Sequence, residues 1–200
     1  MKERPILFRG PMVSAIIAGT KTQTRRLSAP AKPCPYGEIG DRLWVRETFA
    51  LESNRNTDNY PPPHTDGRPV KWVDCPFFGR YWLQPWYRAT DEMRGLIYDD
   101  DYFPTVRWRP SIFLPRWASR LTLEITDLQC EFLNDISEDD AIAEGVKQTF
   151  GRGPCGQEGV IEDFAALWDS INGKTAPWDS NPVVWAISFR LVPRTIGDTR

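Results

Sequence analysis

The run Gly19-Thr20-Lys21-Thr22-Gln23-Thr24-Arg25-Arg26 gathers a lysine, three threonines, a glutamine and two arginines directly after an apolar segment, Pro11 to Ala18. Two chemistries suit it. Ammonium and guanidinium groups at a helix end hold an anion, phosphate above all. A lysine beside two arginines also has its charged form disfavoured by like charge, which brings a neutral amine within reach as a base. Thr24 supplies a hydroxyl three positions on. In a plain strand Lys21 and Thr24 point to opposite faces, because the period is two. On a turn or helical backbone they share a side. Proton chemistry between them therefore requires a turn over 20–24, and Gly19 favours one.

The elements around this run follow from pattern. Pro5 to Arg9 reads as a short strand, and Gly10-Pro11 opens a helix with proline in its first turn. Met12, Ile16 and Ile17 give that helix an apolar face, and Gly19 stops it. A Pro-rich loop over 28–40 leads through Gly40-Asp41 into a strand from Arg42 to Phe49, with Leu43, Val45 and Glu47 on one face. Leu121 to Leu128 alternates as a strand. Ser137 caps a short helix over Ile136–Gly145, with Asp140 at its third position and acids in its first turn. Glu162 to Ile171 is amphipathic through Phe164, Leu167, Trp168 and Ile171. Val183 to Leu191 alternates again and forms the last strand. Strands around a few short helices, without a strand–helix–strand rhythm, predict an α+β fold. Its expected centre is a small, mostly antiparallel β-barrel with short flanking helices. Residues 1–192 are read as one domain carrying an insertion over 50–105, and 193–200 as a flexible tail.

The insertion differs in character from its surroundings. Asn54, Asn56, Asn59, Pro61-Pro62-Pro63 and Gly67 are turn formers, and aromatic residues replace aliphatic ones: Trp72, Phe77, Phe78, Tyr81, Trp82, Trp86 and Tyr87. Short strands are expected near Gly79 to Leu83 and Trp86 to Thr90. The aromatics make a small core or, interleaved with Lys71, Arg80, Arg88 and Arg94, a platform on which bases stack. Arg107-Trp108-Arg109 and Arg116-Trp117 repeat the pairing of basic and aromatic residues. Asp99-Asp100-Asp101 lacks the glycine and distal glutamate of a calcium loop and reads as a solvated turn. The Gly-rich loop over 149–159 lacks the Lys-Ser/Thr ending of a phosphate-binding P-loop.

Composition sets outer bounds. With 200 residues, 40% hydrophobic and 26% charged, the chain suits one globular domain with an elaboration. A net charge of -2 confines any nucleic-acid site to a local basic patch. No apolar run reaches the length of a membrane span and the start lacks a signal-peptide core, so a cytoplasmic protein without a membrane partner is expected. Cys34, Cys75, Cys130 and Cys155 form no CxxC pair, and His64 stands alone in the Pro-rich stretch. Free thiols are expected, with no metal and no cofactor.

The motifs together are familiar. The helix followed by Gly19-x-Lys21-Thr22-x-Thr24-Arg25, then Gly40-Asp41-x-Leu43-x-Val45-x-Glu47, resembles the ASCH domain of the PUA-like superfamily. The strand at 121–128, the helix at 136–145 and the closing strand at 183–191 belong to the same pattern. The chain is most similar to ASCH-domain proteins of tailed phages and prophages. That likeness rests on Trp44-Val45-Arg46-Glu47-Thr48, Pro115-Arg116-Trp117-Ala118-Ser119-Arg120 and Leu167-Trp168-Asp169-Ser170-Ile171-Asn172-Gly173, and covers most of the chain. The likeness to the characterised ASCH enzymes covers only the expected barrel, and the 50–105 insertion has no counterpart in them.

The resemblance implies one of three activities: hydrolysis of the amide of N4-acetylcytidine, ribonuclease action, or binding of RNA or a modified base without turnover. In the amidohydrolases a lysine, a threonine and a glutamate act together, and these fall on Lys21, Thr24 and Glu144. Thr22, Arg25 and Arg26 then contact substrate or phosphate, with Arg46, Glu47 and Arg116 as further lining residues. The expected partner is a nucleoside or RNA, and phage-encoded action in a host cytoplasm fits the likeness. A simpler reading keeps Lys21, Arg25 and Arg26 as a basic edge against phosphates, the threonines as strand residues, and Glu144 as a helix-end acid paired with a lysine.

Overall fold

The computed structural model describes residues 1–28, 33–53, 67–76, 79–91, 107–146 and 159–193. In chain order the elements are β1 (Glu3–Leu7), α1 (Gly10–Ile17), β2 (Gln23–Leu27), β3 (Arg42–Arg46), β4 (Phe49–Ser53), β5 (Lys71–Cys75), β6 (Gly79–Tyr87), β7 (Thr122–Phe132), α2 (Glu138–Ala143), α3 (Val160–Asn172) and β8 (Val183–Val192). The fold is mixed α+β. Its strands form a five-stranded sheet in the order β1-β3-β7-β8-β2 and a three-stranded sheet in the order β4-β6-β5. Among the described residues these pairings give two sheets and close no barrel. The Pro61-Pro62-Pro63 run, His64, Phe77, Phe78, Arg94, Asp99-Asp100-Asp101, Cys155, most of the Gly-rich loop and the tail beyond Pro193 lie outside the described residues. Among the described residues, Cys34, Cys75 and Cys130 are free thiols. No described helix is long and apolar enough to cross a membrane.

The described residues gather into two compact units. One comprises Met1–Arg4, Ala15–Leu43 and Leu123–Val192; the other comprises Pro5–Ser14 and Trp44–Thr122. In the first, β2 runs antiparallel to β8, with Gln23 opposite Ser188 and Leu27 opposite Val184. The core gathers Leu133, Ile136, Ala141, Val160, Phe164, Trp168 and Val184. Helix α3 buries Val160, Phe164 and Trp168, one residue per turn on a single stripe. The Trp168 indole N–H donates to the Ala176 carbonyl at 2.8 Å, so its polar atom is satisfied inside the core. Ile171, expected on the apolar stripe, is 36% exposed; the 160-164-168 spacing carries the stripe toward 172 and leaves it to one side. Helix α2 is shorter than expected and begins at the expected cap. The Ser137 hydroxyl accepts the Asp140 N–H while the Asp140 carboxylate accepts the Ser137 N–H.

The Arg42–Phe49 stretch, expected as one strand, breaks at Glu47-Thr48 into β3 and β4. Strand β6 is continuous where two short strands were expected, and it runs through Pro85. The register explains the tolerance. Strand β5 pairs with Gly79 through Leu83, whereas β4 pairs with Leu83 through Tyr87. Pro85 thus lies past the last β5 pair, where β6 has a single paired neighbour and a missing N–H costs least. Phe49, Tyr87, Leu114 and Ala118 form the second unit's core, and the Tyr87 hydroxyl donates to the Ala118 carbonyl at 2.7 Å. The aromatics of the insertion divide: Trp82 and Tyr87 are buried, while Trp72 is 49% exposed with the Arg80 guanidinium 5.1 Å from its ring centre.

Candidate active site

Helix α1 ends where the chemistry begins. Gly19 takes a left-handed conformation at φ +74°, which glycine adopts without penalty. The N–H groups of Thr20 and Lys21 then turn back to the Ala15 carbonyl at 3.0 and 3.1 Å. The chain leaves this turn with Lys21 bridged to Glu144 in a single antiparallel pair. The Thr22 N–H donates to the Ala143 carbonyl and the Thr22 carbonyl accepts the Phe189 N–H, both at 2.8 Å. Residues 21–22 are therefore stitched to the end of α2 on one side and to β8 on the other, before β2 begins at Gln23. The turn falls at Ala18-Gly19 and not over 20–24 as expected: Lys21 already lies in the bridge to Glu144, and strand β2 runs from Gln23.

The Lys21 side chain has no solvent exposure. Its Nζ donates to Glu144 Oε2 at 2.6 Å, to the Glu144 carbonyl at 2.8 Å and to the Gln23 carbonyl at 2.8 Å. Three N–H donors thus meet three oxygens, and two of those oxygens belong to the residue that ends α2, where a cation is favoured. Burial pushes the Lys21 amine below the ordinary lysine value, against the opposing pull of the Glu144 carboxylate; the arginines at 26 and 25 add to the lowering. The other Glu144 oxygen, Oε1, accepts the Arg25 backbone N–H and lies 3.6 Å from the Arg25 Nη1.

Arg25 is the second buried cation. Its guanidinium sits between Glu131 Oε1 (2.9 Å from Nε, 2.7 Å from Nη2), Asp140 Oδ2 (3.4 Å) and Gln23 Oε1 (2.7 Å), 5.9 Å from the Phe164 ring centre. Burial alone would raise the Asp140 carboxyl, but the Ser137 hydroxyl and the Arg25 charge hold it below its ordinary value. Arg26 Nη1 donates to the Thr24 hydroxyl oxygen at 2.7 Å. Thr24 is itself buried, so this guanidinium sets the electrostatics of its oxygen.

The first unit therefore brings together Lys21, Thr24, Arg25, Arg26 and Glu144, with Thr22 holding the backbone. Glu131 and Asp140 escaped the sequence reading as participants, and Gln23, though part of the opening run, was given no role there. Asp140 was visible only as a helix cap. Glu131 lies past the point where the alternation of β7 changes phase, among residues that are exposed or half-buried on both faces, so the pattern did not single it out.

Arg46, Glu47 and Arg116 belong to the second unit. Glu47 is buried, and both its oxygens accept from Arg120, Nε and Nη2 each at 2.9 Å. Burial holds the Glu47 carboxyl above its ordinary value in spite of that partner. The Arg46 guanidinium lies 4.6 Å from the Trp44 ring centre, and Arg116 opens the short 3₁₀ turn Arg116–Ala118. Among the described residues no three His, Cys, Asp or Glu side chains cluster as metal ligands would.

Gly145 follows Glu144 with φ +83°, and a Cβ there would stand 3.1 Å from the Lys21 Cβ and 3.2 Å from the Ala15 Cβ. Gly145→Ala is expected to destabilise the fold by about 1–3 kcal/mol through backbone strain and displacement of Lys21. Urea unfolding measures it, and a loss below about 0.5 kcal/mol would show that this approach is not tight.

No family model matches this chain, and no curated protein matches it. Among solved structures it is similar to an ASCH domain from Lactobacillus crispatus JV V101, at 10% identity and a TM-score of 0.42, covering 95% of this chain and 79% of that one.

Proposed function

We propose that this protein is a PUA-like, ASCH-type amidohydrolase that removes the acyl group from the exocyclic N4 of an acylated cytosine, with Lys21, Thr24 and Glu144 as the reacting group. The observation that carries the reading is the buried Lys21–Glu144 pair, 2.6 Å between Nζ and Oε2; Thr24, three positions on, is buried as well, and its hydroxyl accepts from Arg26. Loss of the ammonium proton to solvent, favoured by burial, leaves a neutral amine held by Glu144 Oε2. That amine takes the Thr24 proton as Oγ1 bonds to the acyl carbon, and the carbonyl oxygen becomes an oxyanion. Arg26, already donating to Oγ1, is the cation nearest the developing charge. The C–N4 bond then breaks, and N4 receives the proton that Lys21 had taken. Water, deprotonated by the same amine, cleaves the Thr24 ester, releases the carboxylate and restores the hydroxyl. An amine on an aromatic ring leaves more readily than an alkylamine, which favours an acylated base over an ordinary amide.

The test is release of cytidine and acetate from N4-acetylcytidine as a function of pH. The reaction needs the neutral amine, so the rate rises with pH and reaches its plateau below the ordinary lysine value of 10.5, because burial lowers Lys21. Stability moves in the same direction. Between the folded and unfolded values of Lys21 the unfolded chain binds more protons, so folding strengthens as pH rises through that window. A rate that falls over this range would remove Lys21 as the base.

One observation favours a second reading. A lysine with no exposure and three oxygen acceptors is a sound structural clasp. On that reading the protein binds RNA or a modified base without turnover.

A further inference from the structure

The second unit contains a cavity of about 500 Å³ lined by Phe8, Arg9, Gly10, Pro11, Ser14, Glu47, Thr48, Arg88, Ala89 and Ser111. That volume suits a small molecule. Its electrostatics are one-sided. Arg9 and Arg88 border the same space, both are exposed, and neither guanidinium has a side-chain partner among the described residues. The acid in the wall, Glu47, is neutralised by its two bonds to Arg120. Gly10 and Pro11 begin the eight-residue α1, whose first turn carries no acid, so its N-terminal dipole adds positive potential. Ser14, Thr48 and Ser111 add hydroxyls. Two like charges bordering one cavity repel each other, and a dianion bound between them relieves that repulsion.

We propose that this cavity binds a small phosphate monoester. Arg9 and Arg88 hold the phosphate, each by charge-assisted hydrogen bonds. The remaining volume, with its hydroxyls and the Phe8 side, accepts an organic group of about nucleoside size. This site shares no residue with the Lys21–Glu144 group, and it stands whether or not that group hydrolyses amides.

Isothermal titration of the full chain with uridine 5′-monophosphate, uridine and inorganic phosphate tests it, since uridine has no exocyclic amide and is no substrate for deacylation. The nucleotide is expected to bind, uridine to bind at least about tenfold more weakly, and Arg9→Ala and Arg88→Ala each to weaken nucleotide binding about tenfold or more. Both arginines are exposed, so these variants keep the fold. Arg190→Ala, which removes an exposed guanidinium of the first unit, is expected to leave the nucleotide affinity within about twofold. The proposal is overturned if the nucleotide gives no binding at millimolar concentration or if uridine binds as tightly. It is equally overturned if Arg9→Ala and Arg88→Ala both bind as wild type does, if Arg190→Ala weakens binding as much as they do, or if a short RNA lacking a terminal phosphate binds more tightly than the nucleotide.

Discussion

Lys21→Ala lowers deacylation of N4-acetylcytidine by about 10²–10⁴-fold, the range expected when a positioned general base is removed. The loss falls on kcat more than on KM, because the amine acts on a proton in flight and has no exposed surface with which to hold the ground state. The substitution also removes the closest counter-charge of the buried Glu144 carboxylate, so lost folding must be separated from lost chemistry. A small primary amine does this. Added methylamine occupies the space vacated by the lysine side chain and restores part of the rate in Lys21→Ala, whereas a purely structural lysine would show no return of turnover beyond any regained stability. A Lys21→Ala variant that folds and retains more than about a tenth of wild-type kcat contradicts the assignment.

Glu144→Ala destabilises the protein by about 3–5 kcal/mol, the cost of breaking a buried ion pair by removing one partner. Two groups are stranded together. The Lys21 ammonium loses its closest counter-charge, at 2.6 Å, and the buried Arg25 N–H loses its acceptor. The Lys21→Met, Glu144→Leu double variant recovers much of that loss, since replacing a buried pair with apolar side chains of similar volume is often neutral. Urea unfolding of the two single variants and the double variant gives the coupling directly, and a coupling below about 0.5 kcal/mol would mean that the two side chains do not depend on each other. The effect also depends on pH. Raising the pH toward the lysine range narrows the gap between wild type and Glu144→Ala, because a neutral amine no longer needs the carboxylate.

Much of this site's scaffold is written in local chemistry. Gly19 marked the end of α1, Ser137 marked the start of α2, and the alternation from Val183 to Leu191 marked β8; each is a case where one residue type or one period suffices. The partnership between Lys21 and Glu144 is of another kind. The two residues lie 123 positions apart, and no periodicity links them; only likeness to a family suggested that they act together. Glu131 shows the limit most clearly. Strand β7 continues to Phe132, but between Ile125 and Leu128 its alternation changes phase, and from Asp127 onward apolar and polar residues alike are exposed or half-buried, so the pattern there does not single out the residue that holds Arg25. Pro85 misled in the opposite sense. It reads as a strand break, and only the staggered pairing of β4 and β5 with β6 shows why a strand passes through it. The two sheets were likewise hidden, because alternation shows which face of a strand is buried and not which strand lies beside it.

The most direct test of the central claim is a mass-spectrometric comparison of wild type, Lys21→Ala and Thr24→Val, each incubated with N4-acetylcytidine and, separately, with a short RNA. The account predicts cytidine and acetate from wild type, a loss of both products in each variant, and intact RNA throughout. Cleaved RNA dependent on Lys21 would move the chemistry to the phosphodiester. No product from either substrate with wild type would contradict the amidohydrolase and leave the Lys21–Glu144 pair as a structural clasp.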